Sequence, residues 1–352
     1  MKVMYEEKTH RNDFGSLVVT SVDDAWHPVN DKDYIEWWYF DSFNDDKSIV
    51  RGAFYVMGNL SQSSNGRAGV RFFIVEPEGN ELFMDEAFPL SSFSASRDKC
   101  EVRIGKNYLE GEPERYSMHV ESDERTLDLE FASSLKGVKP SPEGKAYFSN
   151  NDKFMAWVVP QPRADAKGTL TSERSAWDIS GCGYHDHNWS NIPFIDYLKD
   201  WYWGRIGDDK FTIIFAKINT SKKFDNSSIR TLTIYNENRI IYATSESAKW
   251  DLEGRNFKVD LLTGVRYPEA YSLSVTDQEL SLDFSFSVEK LFGRMDILEG
   301  HSFLAKWFIR TLKKVNPFSL AFVSRGHGEI AHRRKRNSLR GTVVHELVNL
   351  KK

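Results

Sequence analysis

The 352-residue sequence has little cysteine, no surplus of positive charge and no long apolar run. Its two cysteines, Cys100 and Cys182, could form at most one bridge, and we expect free thiols because nothing else indicates an oxidising compartment. A net charge of −4 does not favour nucleic acid as a partner. No run approaches the roughly 18 apolar residues that cross a bilayer, and the amino terminus lacks the apolar core of a signal peptide. These absences predict a cytoplasmic protein.

Aromatic side chains are plentiful, at 14% of all residues. They favour strands and also line apolar ligand sites. Leu127 to Phe131 and Leu280 to Phe286 alternate apolar with polar residues, which is typical of strands with one buried face. Similar short runs bounded by turn residues fill most of the chain. The pattern predicts an all-β protein built from antiparallel barrels or sandwiches.

One aromatic motif occurs twice. Glu36 to Asp41 and Asp200 to Arg205 each begin with an acid that three consecutive aromatics follow. The copies lie a little under half a chain length apart, which indicates a duplicated domain. Pro193 cannot donate to a strand ladder and precedes the second copy. We therefore expect one domain over residues 1–192 and a second over residues 193–352.

The densest cluster of reactive side chains lies at residues 184–189, with the sequence Tyr-His-Asp-His-Asn-Trp. On a strand, His185, His187 and Trp189 would share one face. Tyr184, Asp186 and Asn188 would share the other. Two imidazoles and a carboxylate among large aromatics are not needed for solubility, so the segment is a candidate site.

Three interpretations of this cluster remain open. His-x-His could supply two metal ligands, although a third is not obvious and would have to be Glu36 or Asp178. The histidines and carboxyls could transfer protons to an apolar substrate, with indole faces stabilising positive charge, or the aromatic pocket could fold a polyene into a reactive conformation. The side chains could instead close an interface between the two domains.

The motif at residues 183–189, together with Glu36 to Tyr39 and Trp201 to Arg205, resembles the carotenoid 1,2-hydratase and AttH-like family. Further segments, at residues 156–160, 168–170 and 181–184, follow in the family's order. The resemblance implies two lipocalin-like (calycin) domains and a large apolar substrate. Members of the family hydrate double bonds, cyclise isoprenoids or direct Diels–Alder closures. It implies no metal or organic cofactor.

The family's His-x-Trp pair falls on His187 and Trp189. Its hydratases carry a Tyr-x-Asp where this chain has Phe215-Ala216-Lys217, so a proton donor would come from elsewhere, with Asp186, Glu36 or Tyr184 as candidates. We expect His187 to be the acid/base, with His185 or Asp186 setting its protonation and with Trp189, Trp38 and Trp203 as an aromatic wall. The expected catalytic residues are His187, Trp189, Asp186, His185 and Glu36. The expected substrate-binding residues are Trp37, Trp38, Tyr39, Tyr184, Trp201, Trp203 and Arg205.

These residues predict an enzyme that acts on a large isoprenoid or polyene, by hydration of a C=C bond or by proton-initiated cyclisation. The alternative is a lipid- or isoprenoid-binding protein without catalysis.

Two basic segments lie in the second half. Ser302 to Val315 has the pattern of an amphipathic helix with basic residues, which would either pack on the barrel or contact a membrane peripherally. The basic run at His332 to Arg336 is expected to be a solvated hairpin turn, with contact to anionic lipid headgroups as the alternative.

Overall fold

The computed structural model describes residues 1–60, 66–149, 152–173, 175–299 and 303–351. The chain forms two compact units. The amino-terminal unit is Gly15–Ile192, and the carboxy-terminal unit is Pro193–Lys352 together with Met1–Phe14. The first residues form two short strands, β1 (Val3–Met4) and β2 (Thr9–His10). The sequence had suggested a first domain that began at residue 1, but β2 pairs within the carboxy-terminal unit.

The amino-terminal unit is an antiparallel sheet whose neighbours follow the order β6-β5-β4-β3-β14-β13-β11-β10-β9-β8-β7, with β12 also pairing with β13. Its strands are β3 (Ile35–Asn44), β4 (Ile49–Met57), β5 (Arg67–Val75), β6 (Glu81–Pro89), β7 (Phe93–Ala95), β8 (Cys100–Ile104), β9 (Asn107–Glu112), β10 (Arg115–Ser122), β11 (Arg125–Ala132), β12 (Lys145–Phe148), β13 (Lys153–Ser172) and β14 (Ala176–Ser190). Short 3-10 turns lie at Gly15–Leu17, Ser21–Asp24 and Leu90–Ser92.

The register of β3 against β14 decides which side chains meet in this unit. Trp38 lies opposite His187, Phe40 opposite His185 and Glu36 opposite Trp189. Because strand side chains alternate, these residues all point into the core, and all of them are buried. The central motif thus lies inside the amino-terminal unit, where His185, His187 and Trp189 share one face, as the alternation predicted.

The carboxy-terminal unit is a ten-stranded antiparallel sheet in the order β19-β20-β21-β22-β23-β15-β16-β17-β18-β2. Its elements are α1 (Phe194–Tyr197), β15 (Leu198–Gly207), β16 (Phe211–Thr220), a 3-10 turn (Lys222–Phe224), β17 (Ser228–Asn236), β18 (Arg239–Thr244), β19 (Trp250–Val259), β20 (Arg266–Thr276), β21 (Leu280–Asp296), α2 (Phe303–Leu312), β22 (Phe318–His332) and β23 (Lys335–Asn349).

Each unit has its own apolar core. In β21, for example, the side chains of Leu280, Leu282, Phe284 and Phe286 are buried while the intervening ones are exposed. Burial of each such side chain stabilises a fold by about 1.5–3 kcal/mol, which explains why the alternating pattern forms a strand. The predicted all-β architecture of two antiparallel units is confirmed.

Three smaller predictions can be compared with the structure. Cys100 and Cys182 are not joined in a disulfide. Residues 332–336 form the hairpin turn between β22 and β23, where Arg333 and Arg334 both take positive φ. The predicted helix is α2, although Ser302 lies outside the described residues. No helix in the described part of the chain is long and apolar enough to cross a membrane.

Candidate functional site

The candidate site is a histidine–carboxylate cluster, which we define as Asp24, Glu36, His185 and His187. Their side chains have 0% exposed surface. β14 supplies the two histidines, β3 supplies Glu36, and the 3-10 turn Ser21–Asp24 supplies Asp24. Four ionisable groups without solvent are costly unless they pair with one another, and the structure shows that they do.

His187 lies between two carboxylates. Its Nε2 donates to Oε1 of Glu36 at 2.9 Å, and its Nδ1 lies 3.2 Å from Oδ1 of Asp24, at ion-pair distance but without hydrogen-bond geometry. Burial lowers the pKa of His187, but the two carboxylates outweigh burial and raise it to about 9. The ring is therefore an imidazolium at neutral pH. It stacks on Trp38 with the ring centroids 4.5 Å apart, and this contact favours the cation.

Asp24 connects the two histidines to the rest of the core. Its Oδ2 accepts a hydrogen bond from the hydroxyl of Tyr116 at 2.7 Å and lies 3.2 Å from Nε2 of His185. Burial raises its pKa, but His185 and His187 outweigh burial and hold the pKa well below the ordinary value. The sequence did not single out Asp24, because it lies in an Asp-Asp pair with no motif around it.

The 3-10 turn directs Asp24 inward. The neighbouring Asp23 accepts hydrogen bonds from the backbone and the hydroxyl of Thr20 and pairs with Lys139 at 2.9 Å. This capping leaves Asp24 on the buried side of the turn.

Glu36 accepts four hydrogen bonds. They come from the hydroxyl of Tyr34 at 2.6 Å, from the backbone N–H of His27 to both oxygens and from His187. The His27 ring stacks on Trp189 with the centroids 4.0 Å apart and lies 5.7 Å from the ring of His187. Sequence reasoning missed His27 and Tyr34, which lie outside both aromatic motifs.

The described residues contain one group with metal-ligand spacing, Asp24, Cys100 and His185, whose candidate ligand atoms lie within 4.8 Å of one another. Zinc binds these residue types. Burial, followed by the charge of Asp24, raises the pKa of the Cys100 thiol well above its ordinary value, so a metal would have to displace the thiol proton. His185 donates through Nδ1 to the carbonyl of Tyr39 at 2.9 Å. Asp178, an expected third ligand, is instead exposed.

Asp186 lies on the opposite face of β14. It accepts hydrogen bonds from Trp157 at 3.1 Å, Tyr184 at 2.9 Å and Asn188 at 2.7 Å. Burial outweighs these donors and raises its pKa to about 6. We expected His185 or Asp186 to set the protonation of His187. The structure corrects this expectation, because Asp24 and Glu36 are the groups that contact the ring.

The remaining aromatic candidates fall into three places. Trp38 and Trp189 lie beside His187. Trp37, Tyr39 and Tyr184 are on the sheet face opposite His187, where the Tyr39 and Tyr184 rings meet edge to face. Trp201, Trp203 and Arg205 lie on β15 of the carboxy-terminal unit. A role of Trp203 as part of the wall around His187 stays a prediction.

The carboxy-terminal unit also has a buried histidine, His345, but its pKa is lowered whereas that of His187 is raised. His345 stacks on Phe322 with the centroids 4.9 Å apart, and its Nε2 lies 2.8 Å from the hydroxyl of Ser324. Burial lowers its pKa to about 3, so the ring is neutral. In the same unit Phe215 is part of the core, and Lys217 pairs with Asp251 at 2.7 Å.

Alkaline pH is expected to weaken the amino-terminal unit through His187. A histidine titrates near 6.5 in the unfolded chain, whereas burial and the two carboxylates together place the folded pKa of His187 at about 9. Its stabilising contribution is present in full below pH 6.5 and is lost as the pH rises through 9. The loss is about 3 kcal/mol. Urea unfolding at several pH values measures it, and His187→Gln should remove this dependence while the exposed-site control His327→Gln keeps it. An unchanged dependence in His187→Gln would contradict the assignment.

The fold and the site together define a class, an all-β protein of two lipocalin-like units with a buried histidine–carboxylate cluster in the first. Two solved structures share the fold. The AttH-type protein NE1406 of Nitrosomonas europaea has a TM-score of 0.62 at 13% identity, over 89% of this chain and 92% of that one. Kievitone hydratase of Nectria haematococca has a TM-score of 0.62 at 14% identity, over 97% and 96%. Identities this low show the fold alone.

A family model matches residues 65–349, so the chain belongs to the Svf1 family. One relative, the hydroxyneurosporene dehydrogenase of Chlorobaculum tepidum, is 22% identical over 231 residues. The match covers 57% of this chain and 60% of that protein, so it spans less than two thirds of the relative. The AttH-like expectation is confirmed for the fold, and the closer resemblance to carotenoid 1,2-hydratases stays a prediction.

Proposed function

We propose that this chain is an enzyme that acts on a large apolar isoprenoid or polyene, by hydration of a C=C bond or by proton-initiated cyclisation. The observation that carries the proposal is the buried ring of His187, which lies between the carboxylates of Asp24 and Glu36 and stacks on Trp38. A cationic acid beside indole faces combines a proton donor with groups that stabilise a carbocation.

The reaction would begin with transfer of an N–H proton of His187 to one alkene carbon, which leaves positive charge on the other. Trp38 and Trp189, with centroids 4.5 Å and 5.1 Å from the His187 ring, would stabilise that charge by about 2 kcal/mol each when desolvated. In hydration, water adds to the cation and returns a proton to the imidazole. In cyclisation, a second double bond adds and a proton is then lost, so the product is an isomer.

Access to His187 requires a side chain to move, because the ring has no exposed surface. His27 is the partly exposed ring beside it, stacked on Trp189. Burial, followed by the charge of His187, lowers the pKa of His27, so it does not compete as a cation. We infer that a substrate would enter by displacing His27 from Trp189.

The names of the relatives support an enzymatic function. One solved relative is a hydratase, and the matched relative is a dehydrogenase named for hydroxyneurosporene. The second candidate function is binding of a lipid or isoprenoid without turnover. The observation that favours it is the complete burial of the cluster. Glu36 already accepts four hydrogen bonds there from Tyr34, His27 and His187.

The test is incubation of the purified protein with linear polyene isoprenoids and prenylated phenols in deuterium oxide, followed by mass spectrometry. Hydration predicts a product heavier by one water, cyclisation predicts an isomer, and each would retain one carbon-bound deuterium. His187→Gln should lower turnover by about 10²–10⁴. The matched control, His119→Gln, changes a half-buried histidine on β10 and should retain turnover. Full turnover in His187→Gln would exclude His187 as the acid, and a bound ligand recovered unchanged would support binding alone.

A further inference from the structure

Helix α2 turns its apolar side outward. Its strongly exposed side chains are Leu304 (75%), Trp307 (59%), Phe308 (58%) and Leu312 (64%). Spacings of three and four residues place all four on one side of the helix. A surface helix normally buries its apolar stripe against the core, so α2 has the reverse orientation.

The basic side of α2 faces the protein. Nζ of Lys306 lies 3.1 Å and the guanidinium of Arg310 lies 2.8 Å from the carboxylate of Asp296, and the Arg310 guanidinium also covers the ring of Phe318 at 5.1 Å. Lys313 pairs with Asp196 at 2.9 Å. These contacts hold the helix with its apolar side away from the sheet. The sequence left open whether this helix packs on the barrel or contacts a membrane, and in the structure its basic side contacts the rest of the unit.

A second apolar projection lies beside the helix. The tip of the hairpin between β19 and β20 exposes 95% of Leu261 and 79% of Leu262. The next residue, Thr263, accepts through its carbonyl a hydrogen bond from the Asn316 side chain at 2.8 Å. Asn316 follows α2 by four positions, so the tip lies near the carboxyl end of the helix. Both elements belong to the carboxy-terminal unit.

We propose that Leu261, Leu262, Leu304, Trp307, Phe308 and Leu312 form an apolar docking face that inserts into the surface of a lipid bilayer. Soluble monomers rarely expose apolar side chains in such a group. The segment Phe303 to Val315 contains Trp, Phe and Leu with four basic residues and no acid, which is typical of helices that lie in a bilayer interface.

A bilayer fits this face better than a protein partner does. The face consists of two separate projections, and a fluid interface accepts them without the shape complementarity that a protein contact requires. Lys314, which follows α2, is exposed and complements anionic headgroups. The inference concerns a surface distant in the chain from the histidine–carboxylate cluster and does not depend on the proposed reaction.

Sedimentation of the full chain with vesicles tests the proposal. We expect binding to phosphatidylcholine vesicles and tighter binding when phosphatidylserine is included. Phe308→Ala and Leu262→Ala should each lower the partition coefficient about tenfold, because each removes a side chain that would be buried in lipid. The matched control is Phe83→Ala, an equally exposed phenylalanine (55%) of the amino-terminal unit, which should leave the partition coefficient unchanged.

Tryptophan fluorescence localises the contact. All ten tryptophans lie in described parts of the chain, and Trp307 is the exposed one. Brominated lipids should quench the emission of the bound protein, and Trp307→Phe should abolish that quenching while sedimentation persists. The proposal is overturned by no binding to either vesicle, by undiminished binding of both alanine variants, or by a dimer that Phe308→Ala dissociates without any vesicle binding. Turnover is measured without vesicles, so failure of this proposal and failure of the proposed function are distinguishable.

Discussion

Asp24→Ala is expected to destabilise the amino-terminal unit by about 3–5 kcal/mol, the usual cost of removing one partner from a buried ionic group. The substitution leaves the His187 imidazolium with Glu36 as its remaining carboxylate. It also removes the acceptor of the Tyr116 hydroxyl and the anion beside His185. Bulk solvent does not reach these atoms, because the side chains of the cluster are fully buried. Their lost interactions are therefore not replaced by solvent.

Urea unfolding measured by tryptophan fluorescence gives the size of this effect. Asp23→Ala is the matched control, since Asp23 lies on the same 3-10 turn but its side chain is 23% exposed and pairs with Lys139. We expect it to cost about 1 kcal/mol, as a lost cap with a surface ion pair does. Asp24→Asn retains an acceptor for Tyr116 and should lie between the two. If Asp24→Ala cost no more than Asp23→Ala, the cluster would not support the fold.

Acid is expected to weaken the carboxy-terminal unit through His345 by about 3 kcal/mol between pH 6.5 and 4. Burial lowers the pKa of this ring to about 3, whereas it titrates near 6.5 in the unfolded chain. Its folded pKa is depressed, so the contribution is present above pH 6.5 and is lost as the pH falls toward 3. The pH dependence of stability that comes from His187 has the opposite sign, because carboxylates surround His187 while aromatic rings surround His345.

Hydrogen exchange of the β22 and β23 amides reports this change within the unit. His345→Gln preserves a polar partner for Ser324 and should make exchange less sensitive to pH between 6.5 and 4. His327→Gln, at an exposed position of β22, should behave like the unchanged protein. Equal acid sensitivity in His345→Gln and His327→Gln would show that His345 titrates normally and is not a source of acid instability.

The local sequence pattern was sufficient to predict much of the candidate site. Alternation along a strand predicted that His185, His187 and Trp189 share a face, and the motif at Glu36 predicted a second aromatic strand. The prediction succeeded because side-chain direction on a strand depends only on whether the position is odd or even. The pairing of these two strands was not predictable, since register depends on residues far apart in the sequence.

Asp24, His27 and Cys100 show where pattern was insufficient. Each lies outside a motif, and each reaches the cluster because a turn or another strand brings it there. The expected partner of His187 was His185 or Asp186, and alternation places Asp186 on the opposite face of β14. A pKa depends on charges within a few ångströms, and these come from distant segments of the chain.

The sequence by itself determined the strand content, the duplicated aromatic motif, the helix at α2 and the faces of the central strand, because all of these follow from local periodicity. The tertiary structure alone decided that Asp24 and Glu36 hold His187 as a cation and that His345 is neutral. It also decided that α2 points its apolar side outward, because Asp296 attracts the basic side. Periodicity states that a helix has two faces, but the charges of the packed neighbours decide which face is turned to solvent.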